Sequence, residues 1–482
     1  MHTIRYTPVI GLEVHAQLLL ESKMFAPEGA AYGALPNTLI SPISLAHPGT
    51  LPMINKKAID CAIKLGLACE ASITAVNYFA RKNYFYPDLP KGYQITQDKT
   101  PICQGGHITL PTVSGEEKRI PLQRIHLEED AGKSIHDMDP ADTLLDFNRA
   151  GVALLEIVTL PEIASGKEAY TFLTELRKIV RYLEICDGNM EEGSLRCDAN
   201  ISVLPEGADT FGNRVEVKNM NSIKNVQLAI EYEIARQIEM LEVGKEVITE
   251  TRMYDAAQGI TISQRAKEGS LDYRYFVEPD LPPVTITEAW IEAIQKDMPL
   301  LPRAYKAKFM EVYQLSDYAA GVLTDTKELA LYFEALCALT TDYTAAANWL
   351  IGPVKGYMNE LNVVLKDFPL QPVQLVALID LVNEETISFS TATQKLFPAL
   401  VASPDRTPLD LVEELNLSQE KDTDILYPLI KEVIDTYPEK VAAYKNGHKG
   451  ILNMLMGEVM KRSQGKAAPG LVNQLLQAAL QH

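Results

Sequence analysis

VIGLEVHAQL, residues 9–18, alternates in polarity at every step from Leu12 to Leu18. Ile10, Leu12, Val14, Ala16 and Leu18 are apolar, and Glu13, His15 and Gln17 fall between them. Successive side chains of a strand point to opposite faces, so this stretch reads as a β-strand with one face for a core and one polar face. A solvated strand face normally carries Thr, Lys or Ser. Here a carboxylate, an imidazole and an amide line up instead.

Three further stretches repeat the pattern. In RIHLEED, residues 124–130, Ile125 and Leu127 oppose Arg124, His126 and Glu128. In SLRCDANISV, residues 194–203, Leu195, Cys197, Ala199, Ile201 and Val203 oppose Arg196, Asp198, Asn200 and Ser202. In RVEVKN, residues 214–219, Val215 and Val217 oppose Glu216 and Lys218. If these strands share a sheet, its polar face becomes a concave floor lined with carboxylates. Glu156 stands inside the apolar run VALLEIV. An ionised carboxylate there is costly to bury unless it is paired, hydrogen-bonded or metal-bound. Glu13, His15, Glu128, Glu156 and Asp198 together offer four carboxylates and one imidazole. Oxygen-rich donor sets suit Mg²⁺ or Mn²⁺, often together with substrate phosphates. Taken singly, each acid reads as a solvated or ion-paired side chain, and His15 as a hydrogen-bonded histidine. Their combination points to phosphate handling with a divalent metal.

The rest of the chain sets bounds. Its 482 residues exceed what one core usually supports, so two to four domains are expected. A formal net charge of -19 argues against a general nucleic-acid-coating protein, though not against a local basic patch. The six cysteines form no CxxC pair, which fits reduced thiols rather than a disulfide framework or a thiolate metal site. Glu13 and His15 interrupt any signal-peptide core, and no run approaches the ~18 apolar residues of a membrane span. A cytoplasmic, membrane-free protein is expected.

Alternation dominates residues 1–290, with helical periodicity at 55–70, 167–185 and 221–241. The fold class is α+β: a strand-rich body with an antiparallel sheet and inserted helices, then helices throughout. Pro404 and Pro408 mark a further break. The division expected is 1–292, 293–405 and 406–482. No phosphate loop, GxGxxG or GxSxG motif is present. RKNYFYPDLPKGYQITQ, residues 81–97, reads as a loop that either faces substrate or packs on the surface. Asn219, Asn221 and Ser222 either cap the following helix or bind a ligand. Cys186 and Cys197 read as core residues.

VIGLEVHAQL, SKMF, HPGTLPMIN, RKNYFYPDLPKGYQITQ, IHLEEDAGK, DFNRAGVALLEIV, EGSLRCDANISV, VEVKNMNS and EGSLDYRYFVEPDLPP together resemble the GatB family, the tRNA-binding kinase component of the tRNA-dependent glutamyl/aspartyl-tRNA amidotransferase. The resemblance runs essentially end to end. It implies a cradle domain over 1–292, a helical domain over 293–405, and a YqeY-like tail over 406–482 that grips tRNA. It implies ATP-dependent phosphorylation of the side-chain carboxylate of Glu-tRNA(Gln) or Asp-tRNA(Asn). Ammonia from a GatA-type amidase partner then displaces phosphate, and a small GatC-type partner straps the two together.

By the same resemblance His15, Glu128 and Glu156 hold one Mg²⁺, with Glu13 and Asp198 at a second position. Glu128 and Glu156 are thereby catalytic, with Lys82 and Lys91 at the outlet for ammonia. Lys449, Lys461, Arg462 and Lys466 are candidate tRNA phosphate contacts, each equally a solvated cation. Many members carry zinc-binding cysteines in the segments that here hold Ala26, Ser41 and Ser44. A structural zinc is therefore expected to be absent, with packing of Phe25, Tyr32 and Pro42 in its place. Two other readings are weighed: a non-catalytic tRNA-binding scaffold, and a metal-dependent small-molecule phosphotransferase.

Overall fold

The computed structural model describes residues 5–111, 116–136, 138–208, 210–266, 272–419, 423–463 and 466–481. Residues 268–271 of the EGSLDYRYFVEPDLPP motif lie outside them. The chain forms two compact units, Met1–Pro302 and Arg303–His482.

The first unit is built on a ten-stranded sheet. Its elements include β1 (Tyr6–Gln17), α1 (Lys56–Ala68), β2 (Ala80–Asn83), β3 (Tyr93–Thr96), β4 (Glu117–Glu129), β5 (Ala153–Thr159), α2 (Gly166–Tyr182), β6 (Leu195–Pro205), β7 (Val215–Lys218), α3 (Ile223–Glu242), β8 (Glu250–Asp255) and β9 (Ile260–Ala266). From the Ser72–Ile73 and Cys103–Gln104 edge the order runs β4, β5, β1, β6, β7, β8, β9. The stretch that opens the chain is thus central, paired with β5 on one side and β6 on the other. The pairings are antiparallel except that β7 and β8 run parallel. The expected antiparallel sheet thus carries one parallel pair. A parallel pair needs a crossover, and α3 supplies it.

Alternation sorts the faces as expected. Ile10, Leu12, Val14, Ala16, Leu155, Ile157, Leu195, Ala199 and Ile201 are buried in one core with Ile59, Ile63, Phe172, Leu176, Val226 and Ile230 from α1, α2 and α3. Each helix starts on a side chain that accepts from a backbone N–H: Asn55, Ser165 and Ser222. Ser222 is therefore a helix cap. Cys186 and Cys197 are buried in the core. The β2–β3 hairpin lies against the end of β4: Gln94 donates to the Glu129 carbonyl at 2.7 Å, and Ile95 N–H to Glu129 Oε1 at 3.0 Å.

Residues 22–50 are held differently from the expectation. Phe25 is buried against Phe79, but Tyr32 and Pro42 are exposed. Polar links do the holding. Asn148 Oδ1 accepts from Leu39 N–H at 2.8 Å, Asn148 Nδ2 donates to the Leu35 carbonyl at 2.7 Å, and Asn37 Nδ2 donates to the Leu145 carbonyl at 2.9 Å. Lys23, fully buried, donates to the Leu39 carbonyl at 2.8 Å and lies 3.4 Å from Glu28 Oε1. The Ser44 hydroxyl donates to the Ser41 carbonyl at 3.2 Å. These links carry no thiolate, so dialysis against a strong zinc chelator is expected to leave the melting temperature unchanged. A chelator-induced drop, reversed by zinc, would place a metal in this loop.

The second unit is helical. Its last four helices are α4 (Thr423–Thr436), α5 (Pro438–Lys445), α6 (Ile451–Arg462) and α7 (Pro469–Gln481). They enclose a core of Leu426, Ile430, Val433, Leu455, Val459, Val472 and Leu476. No helix among the described residues is long and apolar enough to cross a membrane.

Candidate active site

Register alone assembles a polar row across the sheet. Glu156 on β5 pairs with His126 on β4 and with His15 on β1, and His15 pairs in turn with Arg196 on β6. Glu128 follows His126 by two residues on the same face of β4. The side chains converge: His15 Nε2 lies 3.4 Å from Glu128 Oε1 and 3.4 Å from Glu156 Oε2. One donor atom each from His15, Glu128 and Glu156 lies within 4.8 Å of the others. His126 Nε2 reaches Glu156 Oε2 at 3.3 Å and Glu128 Oε2 at 3.7 Å. Thr96 on β3 donates its hydroxyl to Glu128 Oε2 at 3.3 Å. The Glu128 side chain is only 4% exposed, and Glu156 and His15 are part-buried beside it.

Electrostatics follow from that geometry. Burial opposes the charge on His15, but hydrogen bonds and charge from Glu128 and Glu156 outweigh it and raise its pKa from 6.5 to about 10. Burial likewise raises Glu128, yet His126 and His15 bring it down from 4.5 to about 2. Glu156, buried beside the same two imidazoles, is held well below the ordinary carboxylate range. In the protein without metal, His15 and His126, both raised by the same two carboxylates, share in offsetting their charge.

A raised histidine stabilises fully below its unfolded pKa and loses that contribution as pH rises through about 10. A depressed carboxylate stabilises above 4.5 and loses its contribution as pH falls through about 2. With chelator present, the melting temperature is therefore expected to fall between pH 6.5 and 10. His15→Gln should flatten that alkaline slope in a series of buffered melts.

The other expected residues divide. Glu13 pairs across the strands with Asp198. Burial, with the charges of Glu156, Glu216 and Asp198, raises the Glu13 carboxyl, although Asn200 donates to it at 2.9 Å. Asp198 is engaged by Lys218, which also lies 3.1 Å from Glu216. Lys82 lies over the Tyr273 ring, 4.9 Å from its centroid. Burial works against its charge, but Glu128, Tyr275 and Glu156 raise its pKa overall. Lys91 pairs with Glu129, not with Glu128.

The four tail cations do not form one cluster. Lys449 precedes α6, whereas Lys461, Arg462 and Lys466 sit at its far end, about 18 Å of helix away. Arg462 is already bound to Glu432 at 2.6 Å and to Thr436 at 3.0 Å.

Comparison with known proteins adds to this geometry. Residues 8–292 match the GatB/GatE catalytic domain, and residues 331–480 match the GatB domain. The chain belongs to the GatB family. The aspartyl/glutamyl-tRNA(Asn/Gln) amidotransferase B subunit of Thermodesulfovibrio yellowstonii is 46% identical over 473 residues, 98% of this chain and 99% of its own length. The B subunit of the same designation from Alkalilimnicola ehrlichii is 47% identical over 478 residues, 99% of this chain and 100% of its own.

Every residue of the His15, Glu128 and Glu156 cluster lies within the stretch matched to the GatB/GatE catalytic domain. The four tail cations lie within the stretch matched to the GatB domain. Two members of the cluster, His126 and Thr96, are additions to the expected site. Alternation in RIHLEED places His126 on the face of Glu128, so its signal is present in the sequence. Thr96 comes from another sheet, and no pattern in the chain announces that contact.

Proposed function

We propose that this GatB-family chain is the B subunit of a glutamine-dependent amidotransferase that converts Asp-tRNA(Asn), Glu-tRNA(Gln) or both to the amide. A carboxylate is a poor electrophile, so the side-chain oxygen first attacks the γ-phosphorus of ATP and ADP departs. Ammonia then attacks the acyl carbon, inorganic phosphate leaves, and the nitrogen loses a proton. The observation that carries the reading is the convergence of His15, Glu128 and Glu156, three metal-ligand side chains within 4.8 Å of one another, on the floor of the sheet.

The donor set fits Mg²⁺, with Mn²⁺ as an alternative: two hard carboxylate oxygens and one imidazole leave positions for water and phosphate. His15, Glu128 and Glu156 would hold the ion, and Glu13 with Asp198 would hold a second. Bound there, it supplies positive charge against the phosphates. Lys82, its charge favoured by the same carboxylates, adds a cation that needs no ion to be present. Lys82 and Lys91 are assigned to the ammonia outlet, with Lys91 oriented by Glu129. An amidase partner, a small strap partner and misacylated tRNA complete the system.

The test is amidation of each charged tRNA by the reconstituted complex with ATP, Mg²⁺ and glutamine. The expected result is amide formation coupled to tRNA-stimulated ATP turnover. ATP turnover with no charged tRNA required would favour a small-molecule phosphotransferase instead. The last helices have a core of their own, and residues 406–482 are proposed as a separate tRNA-gripping domain. Truncation after residue 405 is expected to weaken charged-tRNA binding about tenfold or more, the loss of one or two phosphate contacts and their counterion release. Filter binding measures it, and unchanged affinity would remove the tail from the interface.

A further inference from the structure

Beyond the three ligand candidates, the cluster contains a fourth side chain whose position demands a role. His126 is 2% exposed, and its Nδ1 has no hydrogen-bond partner among the described residues. A buried polar atom without a partner is disfavoured, and histidines that only fill a core usually have both ring nitrogens satisfied. The other nitrogen explains the arrangement. Nε2 faces Glu156 Oε2 at 3.3 Å and Glu128 Oε2 at 3.7 Å, so one imidazole touches both carboxylates. It approaches Glu128 on the oxygen that Thr96 also holds, whereas His15 approaches the opposite oxygen, Oε1. His126 does not join the three mutually close donors.

We infer that His126 is a positioning residue for the metal site: its Nε2 steadies Glu156 Oε2 at 3.3 Å and draws on Glu128 Oε2 by charge at 3.7 Å, so that Glu128 presents Oε1 on the His15 side. The inference rests on the proposed reading of His15, Glu128 and Glu156 as the ligand set. The backbone makes the arrangement hard to avoid, because strand pairing puts His126 directly opposite Glu156. Two carboxylates facing one ion repel each other when it is absent, and a donor shared between them from the buried side keeps them aligned. Outer groups of this kind typically change metal affinity by about 10- to 100-fold. Thr96 hydrogen-bonds the Glu128 oxygen that His126 faces at 3.7 Å, so the two approach Glu128 from the same side.

The test uses Mn²⁺ as the probe, titrated by electron paramagnetic resonance into the full-length chain assembled with its partners. His126→Leu is expected to weaken Mn²⁺ binding on the order of tenfold or more, and to raise the Mg²⁺ concentration needed for half-maximal amidation. Its turnover at saturating Mg²⁺ should recover substantially. His126→Gln, whose amide N–H reaches the place of Nε2, should keep near-native affinity, and His126→Asn, which reaches only the place of Nδ1, should not. A purely structural role would make Gln and Asn equivalent, and that result overturns the inference. If His126→Leu does not fold, the Gln and Asn pair decides alone. Native Mn²⁺ affinity in His126→Leu, with affinity lost in His15→Ala, sinks the inference and spares the ligand set. Native affinity in His15→Ala sinks the ligand set itself.

Discussion

Glu156→Gln is expected to abolish ATP-dependent amide formation, by roughly a thousandfold or more, while the amidase partner continues to hydrolyse glutamine. The magnitude is that of removing one fixed electrostatic group from a reacting centre, roughly 10³ in rate, or about 4 kcal/mol. Glutamine keeps the shape and nearly the volume of glutamate, so the change isolates charge. In the wild-type chain Glu156 Oε2 is shared by His15 at 3.4 Å and His126 at 3.3 Å. An amide in its place offers either a neutral oxygen or an N–H that faces two imidazoles. Parallel assays of ammonia release and amide product on one preparation separate the effect from a failure of assembly. Amide formation within about tenfold of wild type at saturating Mg²⁺, a loss of only about 1.4 kcal/mol, would remove Glu156 from the ligand set.

Lys23→Met should cost about 3–5 kcal/mol of stability, the usual penalty for stranding one charge of a buried pair. Lys23 is fully buried, and burial holds its pKa down. Glu28 is held low despite burial, with the Ser44 and Ser41 hydroxyls and Lys23 as its neighbours. Methionine fills the stem's volume but leaves that carboxylate without its cation, and the Leu39 carbonyl without its donor. Urea unfolding followed by circular dichroism measures the change. The double variant Lys23→Met/Glu28→Gln is expected to recover part of it, because the stranded charge is then gone. If the double variant is as unstable as the sum of the singles, the pair is not coupled and the loop is held by its asparagine clamps alone.

How far the sequence is legible depends on which force acts at each place. The two faces of β1 and β6 are readable because alternation is a one-dimensional record of burial. Glu156 is readable because a carboxylate in an apolar run is an anomaly that burial alone does not explain. β8 is hidden: ETRMYD carries charge at positions that alternation would bury, and its Glu250 and Arg252 pair with each other at 2.7 Å and so are satisfied inside the protein. The 22–50 loop is equally opaque, because Asn37, Asn148 and Lys23 bind backbone carbonyls and amides far along the chain. Such links leave no period and no composition bias. The same limit hides the preference of Lys91 for Glu129 over Glu128, one residue apart but on opposite faces of β4.

The central place of β1 has a consequence for biosynthesis. Its Glu13 is touched by Asn200, 187 residues further along the chain. A nascent polypeptide therefore carries its first strand without its β6 neighbour until that segment has left the ribosome. At about 5–20 residues per second that is a wait on the order of ten seconds or more. During it, the apolar face of residues 9–18 is a natural target for a chaperone that binds emerging chains. No fragment ending before residue 195 can complete the pairing on that side of β1, so termination before that point leaves an unpaired, aggregation-prone strand edge.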